Sequence, residues 1–504
     1  MEQLQSTDIK PKRQRIPGRR SFVSVTSPDL NKIPVPEEIV QQIGKLADQM
    51  KVRLYCVGGY VRDYYLKRER SDFDFTVIGD AIEFAEELAD LYGVTPVLYP
   101  RFRTAMVPIH NLKLEFVGTR KEEYTPGSRN PIVSEGTLED DLRRRDFTIN
   151  AMAVSINSDT FGEVIDAFNG RRDLEAKILR TPTNPETTFS EDPLRMMRAI
   201  RFASQFSFFI DKIALNAITR LSSRISIISQ ERITDEFMKI MSSDKPGFGI
   251  NLLHETGILA LIFPELENMS GIDIIREGSR EYAHKDVLHH SLLVLDNIAG
   301  KSDNLWLRFA ALLHDVGKPK TKRFVSGTGW TFHGHEEYGA RMIERIFRRM
   351  KMPMEHIDYV ETLVRLHQRP MVLVDQGVTD SAVRRLAFNA GAYLEDLFVL
   401  CKADITTNNP RLSQQYLHNY EVVTRKVRDV QEKDKLREFQ SPVRGEEIMA
   451  VCNLQPSRVV GFIKNQIEEA ILDGIIDNEY GAAKAFFLEN KDNWLKDYEL
   501  KYNS

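Results

Sequence analysis

Two aspartates, Asp72 and Asp74, sit in the run Ser71-Asp72-Phe73-Asp74-Phe75, where acidic and aromatic residues alternate. In an extended strand that alternation sends both carboxylates to one face and both phenylalanines to the other. Two such carboxylates repel one another unless a cation lies between them. Hard oxygen donors of this kind suit Mg²⁺ bridging the phosphates of a nucleoside triphosphate. Just upstream, Gly58-Gly59-Tyr60-Val61-Arg62-Asp63 places two glycines between a strand and a helix. Bared backbone N–H groups at Gly58 and Gly59, with Arg62 on the first helical turn, can hold phosphate. Each motif alone also describes an ordinary turn, because glycine is simply permissive of positive φ. In this order and spacing the two together describe a phosphate-and-metal site.

A second constellation is made of histidine. Eight of the eleven histidines fall between His284 and His367, a clustering that composition alone does not give, and bound metal explains it most economically. Within that region Phe309-Ala310-Ala311-Leu312-Leu313-His314-Asp315-Val316-Gly317-Lys318 reads as a buried apolar helix ending in a glycine turn, with two polar ligands at its end. Imidazole nitrogen and carboxylate oxygen together suit a first-row divalent metal whose identity the ligands do not specify.

A third pattern lies between them. Asp192, Arg195, Arg198 and Arg201 recur every three residues, while Met196, Ala199, Ile200 and Ala203 can pack on the opposite side. Ser190 is placed to cap the helix start, and Pro193 is tolerated in a first turn. A carboxylate acceptor beside guanidinium donors matches the Watson–Crick edge of a base. A salt-bridged surface helix has the same spacing.

These motifs, in this order, resemble the class II tRNA nucleotidyltransferase and bacterial poly(A) polymerase family, whose first motif joins the GG…RD turn to DxD on the next strand. Arg144-Arg145-Asp146-Phe147-Thr148-Ile149-Asn150-Ala151 looks like the family's ribose-recognition motif. Asp166 to Gly170 with Asp173 resembles its hinge, Glu191 to Phe202 its base-reading helix, and Glu231-Arg232-Ile233 the start of its last neck motif. The resemblance runs from about Pro36 to Gly474. It implies attack of an RNA 3′-hydroxyl on the α-phosphate of a triphosphate, with Asp72 and Asp74 as catalytic metal ligands for Mg²⁺. Gly58, Gly59, Arg62, Asp63, Arg145, Asp146, Asp192, Arg195, Arg198 and Arg201 are the implied nucleotide-binding residues. Glu115 is a candidate third carboxylate, or an ordinary edge-strand glutamate. The implied substrates are the tRNA 3′ end, CTP and ATP.

His290, His314-Asp315 and Asp404 further resemble the H…HD…D ligand set of HD-superfamily phosphohydrolases, which implies a divalent transition metal and a hydrolytic activity. His333, His335 and His367 are candidates for a second metal position. Addition of poly(A), or of only CC or only A, uses the same motifs, and Arg101-Phe102-Arg103 resembles a basic element of poly(A) polymerases. A phosphohydrolase with an inactive N-terminal domain is the alternative from another class.

The elements that must position these residues are legible as periodicity. Helices are expected at Glu37 to Met50, from the glycine turn through Leu66, and at Ile82 to Tyr92. Strands are expected at Leu54 to Val57, Asp72 to Val77, Thr104 to Ile109, Lys113 to Gly118, Ala151 to Ile156 and near Val164. From about residue 185 the pattern is helical, and Tyr124 to Gly136 reads as a mobile connection. The expected fold is α+β: a disordered basic arm (1–35), a mixed α/β nucleotidyltransferase head (36–180), an all-α neck (181–283), an HD-type helical body (284–405) and a helical, RNA-binding tail (406–504).

Composition agrees with this division. At 504 residues, 42% hydrophobic and 28% charged, the chain has apolar material for several cores. A net charge of −4 excludes bulk electrostatic coating of nucleic acid and leaves local patches: Lys10 to Arg20, Arg143-Arg144-Arg145, and Arg345 to Lys351. Three scattered cysteines give neither a disulfide framework nor a cysteine metal site. With no signal-like or membrane-length apolar run, a cytoplasmic, membrane-free protein is expected.

Overall fold

The acidic–aromatic alternation forms a strand inside a mixed sheet. In the computed structural model, residues 32–69, 73–123, 132–375, 379–407, 409–434 and 441–502 are described. Asp72, the arm up to residue 31 and the connection 124–131 lie outside them. The chain divides into two compact units. Unit 1 takes in residues up to Arg120 with Glu135–Leu142 and Asn150–Ala167; unit 2 takes in Lys121–Ser134, Arg143–Ile149 and Phe168 onward.

Unit 1 is built on seven strands: β1 (Arg53–Val57), β2 (Phe73–Ile78), β3 (Val97–Tyr99), β4 (Thr104–Ile109), β5 (Leu112–Gly118), β8 (Ala153–Ser155) and β9 (Val164–Ile165), in the order β3-β4-β5-β2-β1-β8-β9. The intervening β6 (Arg120–Glu123) and β7 (Ile132–Glu135) pair as a separate ribbon, so the end of the expected loop is a strand. All neighbours in the large sheet are antiparallel except β2 and β5. Phe73, Phe75 and Val77 are buried, whereas Asp74 is half-buried on the other face. Phe75 stacks on its β5 neighbour Phe116 at 4.8 Å, and Phe84 from the helix Ala81–Tyr92 closes over Phe116 at 5.3 Å. Among the described residues of this part of the chain the α-helices are α1 (Glu38–Met50), α2 (Gly59–Tyr65), α3 (Ala81–Tyr92) and α4 (Leu138–Arg143). Ile33 and Val35 are buried, so the final residues of the expected arm belong to the folded unit.

Among the described residues unit 2 is helical apart from the β6–β7 ribbon and short strand pairs: β10 (Ile178–Leu179) with β11 (Phe209–Ile210), and the hairpins β12 (Ile274–Glu277) with β13 (Arg280–Ala283) and β14 (Arg323–Val325) with β15 (Gly329–Thr331). The helix Leu305–Leu313 is apolar on every side and buried. Its one charge, Arg308, donates to the carbonyls of Met241 (3.0 Å) and Ser243 (2.9 Å). At the C-terminus, helices Gly445–Cys452, Arg458–Leu472 and Tyr480–Tyr502 close a small core of their own around Ile448, Ile463, Ile467 and Phe487. No described helix is long and apolar enough to cross a membrane.

Close packing in unit 1 is sharpest where α1 crosses the sheet. A Cβ on Gly44 would lie 2.2 Å from the carbonyl oxygen of Ile156, a backbone atom with nowhere to go. Gly44→Ala is therefore expected to destabilise by about 1–3 kcal/mol, the usual cost of overpacking. Chemical denaturation checks this, and an unchanged midpoint would show that the contact yields.

Candidate functional site

In unit 1 the glycine turn is conformationally committed. Gly58 has φ +67° and ψ −117°, and its N–H donates to the Met152 carbonyl at 3.1 Å. A side chain there would be strained. Arg62, on the first turn of the following helix, is held by side-chain partners. Its Nε and Nη2 donate to the two oxygens of Asp63, each at 2.8 Å, and its Nη1 donates to Asn150 Oδ1, also at 2.8 Å. Asn150, near the end of the motif Arg144 to Ala151, joins this cluster through that bond, a contact that spacing alone does not signal.

Asp74 is the lateral neighbour of Glu115 in the parallel β2–β5 register, and side chains so paired share a face. A cavity of about 390 Å³ reaches Glu115 and is lined also by Tyr99, Phe102, Thr104, Met106 and Arg120. Arg103 turns away: its backbone is left-handed, and its Nη2 donates to the Gly79 carbonyl.

In unit 2 the guanidinium row is real but heavily partnered. The helix begins at Leu194, later than expected, because Pro185–Glu191 forms its own helix and the chain breaks at Asp192. Ser190 lies inside that earlier helix, and Asp192 takes over the cap, accepting from the Leu194 N–H at 3.1 Å. The second oxygen of Asp192 pairs with Arg232 at 3.0 Å. Arg195 donates to the Arg144 carbonyl (2.8 Å) and pairs with Glu191 (3.2 Å). Arg198 grips Asp146 at 2.6 Å, and the carboxylates of Asp146 and then Glu236 raise its pKa. Arg201 is held by the buried Glu236 at 2.7 Å and lies over the Phe202 ring at 4.0 Å; burial draws its pKa down. Arg145 is half-buried on the segment that carries Asp146. Of the expected basic patches, Arg345 to Lys351 is substantially neutralised: Arg348, Arg349 and Lys351 each pair with a glutamate.

The histidine cluster assembles at the end of the buried helix Leu305–Leu313. His314, Asp315, His335 and His367 are buried, and His290 is half-buried. Gly317 permits this, since a Cβ there would sit 2.1 Å from the His335 carbonyl. The ligand atoms of His290, His314 and Asp315 all lie within 4.8 Å of one another, and so do those of Asp315, His335 and His367. Asp404 approaches His290 at 2.8 Å and His314 at 3.6 Å. His333 belongs to neither group: it is exposed, and a left-handed Gly334 separates it from His335.

The imidazoles are also oriented for metal. The Nδ1–H groups of His314, His335 and His367 donate to the carbonyls of Ala311 (2.8 Å), Phe332 (2.8 Å) and Val364 (2.6 Å). Because a carbonyl can only accept, each neutral ring carries its lone pair on Nε2, as metal-ligating histidines do. His314 Nε2, His367 Nε2 and Asp315 Oδ1 are buried without a hydrogen-bond partner. Such orphans cost about 1–3 kcal/mol each. The donors fit a divalent cation.

Without a cation, protons carry the charge. Burial pushes the His314 pKa down, but the Asp315 and Asp404 carboxylates outweigh it and raise it to about 10. Burial likewise pushes Asp315 up, and His314 holds it well below the carboxylate range instead. His367 is driven down to about 4 by burial and by the His314 charge.

A nucleotidyltransferase head joined in one chain to an HD-type centre is the class of enzyme this fold and these sites define. Residues 54–180 match the poly A polymerase head domain, 207–270 the probable RNA and SrmB-binding site of polymerase A, and 287–409 the HD domain. Over 367 residues the chain is 31% identical to the multifunctional CCA protein of Thioalkalivibrio sulfidiphilus, covering 70% of this chain and 84% of that one. The chain belongs to the tRNA nucleotidyltransferase family. It is 47% identical over 161 residues to the A-adding tRNA nucleotidyltransferase of Aquifex aeolicus, which spans 32% of this chain but only 19% of that protein. A solved tRNA nucleotidyltransferase complexed with a primer tRNA and an incoming ATP analogue superposes with a TM-score of 0.54 at 26% identity, covering 77% of this chain and 99% of that one.

Two expectations follow from these electrostatics. Glu236→Ala removes the buried partner of Arg201 and is expected to cost about 3–5 kcal/mol of stability in denaturant unfolding. A loss under 1 kcal/mol would show that Arg201 finds water instead. At the histidine cluster, metal binds deprotonated ligands and must displace the His314 proton. That proton stabilises the metal-free fold fully below the ordinary histidine pKa of 6.5, and the contribution is lost as pH rises through about 10. Apparent metal affinity should therefore climb with pH across this window, by up to about tenfold per unit for one displaced proton. Calorimetry in buffers of different ionisation enthalpy counts the proton released; pH-independent binding would contradict the scheme.

Proposed function

We propose that this chain adds CCA, or part of it, to the 3′ end of tRNA from CTP and ATP. The observation that carries the reading is the acidic face of β2, on which Asp74 stands beside Glu115 while the phenylalanines of the same strand are buried. Asp72 and Asp74 are the proposed catalytic carboxylates, with Glu115 as a third. These carboxylates would hold Mg²⁺, which when bound would supply activation of the RNA 3′-hydroxyl and neutralisation of charge on the departing pyrophosphate. The Gly58-Gly59 turn receives triphosphate oxygens through its backbone, and the Arg62–Asp63–Asn150 cluster keeps that turn in shape. Asp192, Arg195 and Arg198 are the proposed base-reading groups, with Arg145 and Asp146 serving the ribose. Arg201, committed to Glu236, supports the row from behind.

For the HD unit, His290, His314, Asp315 and Asp404 are the proposed ligands of a divalent transition metal, and the unit is a second, phosphohydrolase centre. The reading places the protein in the cytoplasm, where tRNA ends are processed. Addition of A alone is favoured as the second reading by the 47% identity to an A-adding enzyme.

The test offers the purified protein three tRNAs, lacking CCA, CA or only the terminal A, with CTP, ATP or both. Completion of CCA on all three supports the leading reading. Extension of only the last with ATP supports A-addition, and long A-tails on any RNA would sink both. Asp74→Ala is expected to lower incorporation roughly 10³-fold or more, since it removes charge stabilisation worth several kcal/mol.

A further inference from the structure

The acidic face of the head continues past Glu115 onto β4 and β3, where two aromatic rings stand exposed over a cavity. We propose that this cavity, at Tyr99, Phe102, Met106 and Arg120, seats the 3′-terminal nucleotide of the acceptor RNA, with its base stacked on the two rings. The proposal rests on the nucleotidyltransferase reading of the head and deepens it by naming where the second substrate lies.

Sheet order gives the cavity its side. The glycine turn follows β1, which flanks β2 on one edge, while β5, β4 and β3 succeed one another on the other. Asp74, Glu115, Met106 and Val97 are lateral neighbours across β2, β5, β4 and β3 and so share a face. Two residues along that face, Thr104 pairs with Tyr99. The carboxylates therefore lie between the glycine turn and the cavity. In phosphoryl transfer the attacking and leaving oxygens stand roughly in line on opposite sides of the phosphorus. With triphosphate oxygens at the glycine turn, the attacking hydroxyl comes from the β5–β4–β3 side. The cavity there holds about 390 Å³, within the range of small-molecule sites, and Glu115 forms part of its wall.

The rings are exposed but not loose. Tyr99 is 47% and Phe102 46% accessible, yet the turn that carries them is latched to the sheet. The Phe102 carbonyl accepts from Arg120 Nη1 at 2.6 Å and from the Thr104 hydroxyl at 3.1 Å. Arg103, left-handed at φ +53°, accepts from the Gly118 N–H at 2.9 Å and donates through Nη2 to the Gly79 carbonyl at 3.3 Å. Four bonds thus fix the backbone beneath a solvent-facing ring, which is the requirement for a stacking platform. Arg101 lies 5.8 Å from the Phe102 ring centroid and, with Arg120, brings positive charge suited to a nucleotide's phosphate. Stacking is indifferent to base identity, because every base has a π-face. That suits an acceptor position whose occupant changes as nucleotides are added in succession.

The experiment uses the full chain and a tRNA truncated at the point from which the protein extends it, with 2-aminopurine as the terminal base. Stacking quenches that base's fluorescence. Binding without triphosphate should quench it, Tyr99→Ala combined with Phe102→Ala should abolish the quench, and Phe102→Trp should preserve it. In steady-state extension, Phe102→Ala should lower kcat/KM for the acceptor about five- to a hundredfold, the worth of one base–aromatic stack, and leave the triphosphate KM unchanged. The loss should be equal for acceptors ending in a purine or a pyrimidine. Circular dichroism confirms folding, which truncation of a half-exposed ring should leave intact. A raised triphosphate KM with unchanged acceptor kinetics would assign the cavity to the incoming nucleotide and overturn the proposal, as would quenching and kinetics indifferent to both rings. A parent chain that extends no RNA would instead overturn the transferase reading, and the proposal with it.

Discussion

Asp315 is 1% exposed, and a carboxylate taken that far from water costs several kcal/mol unless cations or donors surround it. Much of the HD unit is arranged around that demand. The apolar helix Leu305–Leu313 delivers His314 and Asp315 to the interior, and Gly317 lets the His335 turn come within contact distance. Lys318 closes the near side of Asp315 at 2.6 Å. The backbone carbonyls of Ala311, Phe332 and Val364 fix three rings so that their remaining nitrogens point inward. The neck meets the same constraint differently. Glu236 is buried and balanced by Arg201, with Arg198 and Lys239 at the edge of bonding distance. One centre uses imidazoles and invites a metal; the other uses guanidinium and is already complete.

What the sequence made legible follows from the range of the interactions concerned. Strands β1, β2, β4 and β5 and helices α1 and α3 were readable because alternation and three- to four-residue periodicity are local records of one buried face. The hairpins β12–β13 and β14–β15 escaped because they bury little. Strand β12 alternates exposed with only half-buried residues, and its cross-strand contact Arg276 to Glu281 is polar. Glu236 escaped for another reason: its partner Arg201 comes from a different helix, and such pairing leaves no trace in spacing. His333 was grouped with His335 by proximity in sequence, but the left-handed Gly334 between them puts one outside and the other inside. The shift of the cap from Ser190 to Asp192 is a boundary effect, decided by where Pro185–Glu191 ends as a helix of its own.

These tertiary partners bear on what the proposed base-reading row can present to a base. On the proposed reading, Asp192, Arg195 and Arg198 meet the base, yet none of them is a free side chain. Asp192 is tied to Arg232, Arg195 to the Arg144 carbonyl and Arg198 to Asp146. A guanidinium anchored through one edge presents only its remaining N–H groups, and the anchor sets their direction. Asp146, Glu236 and Arg232 are the carboxylates and the guanidinium that hold this row in place.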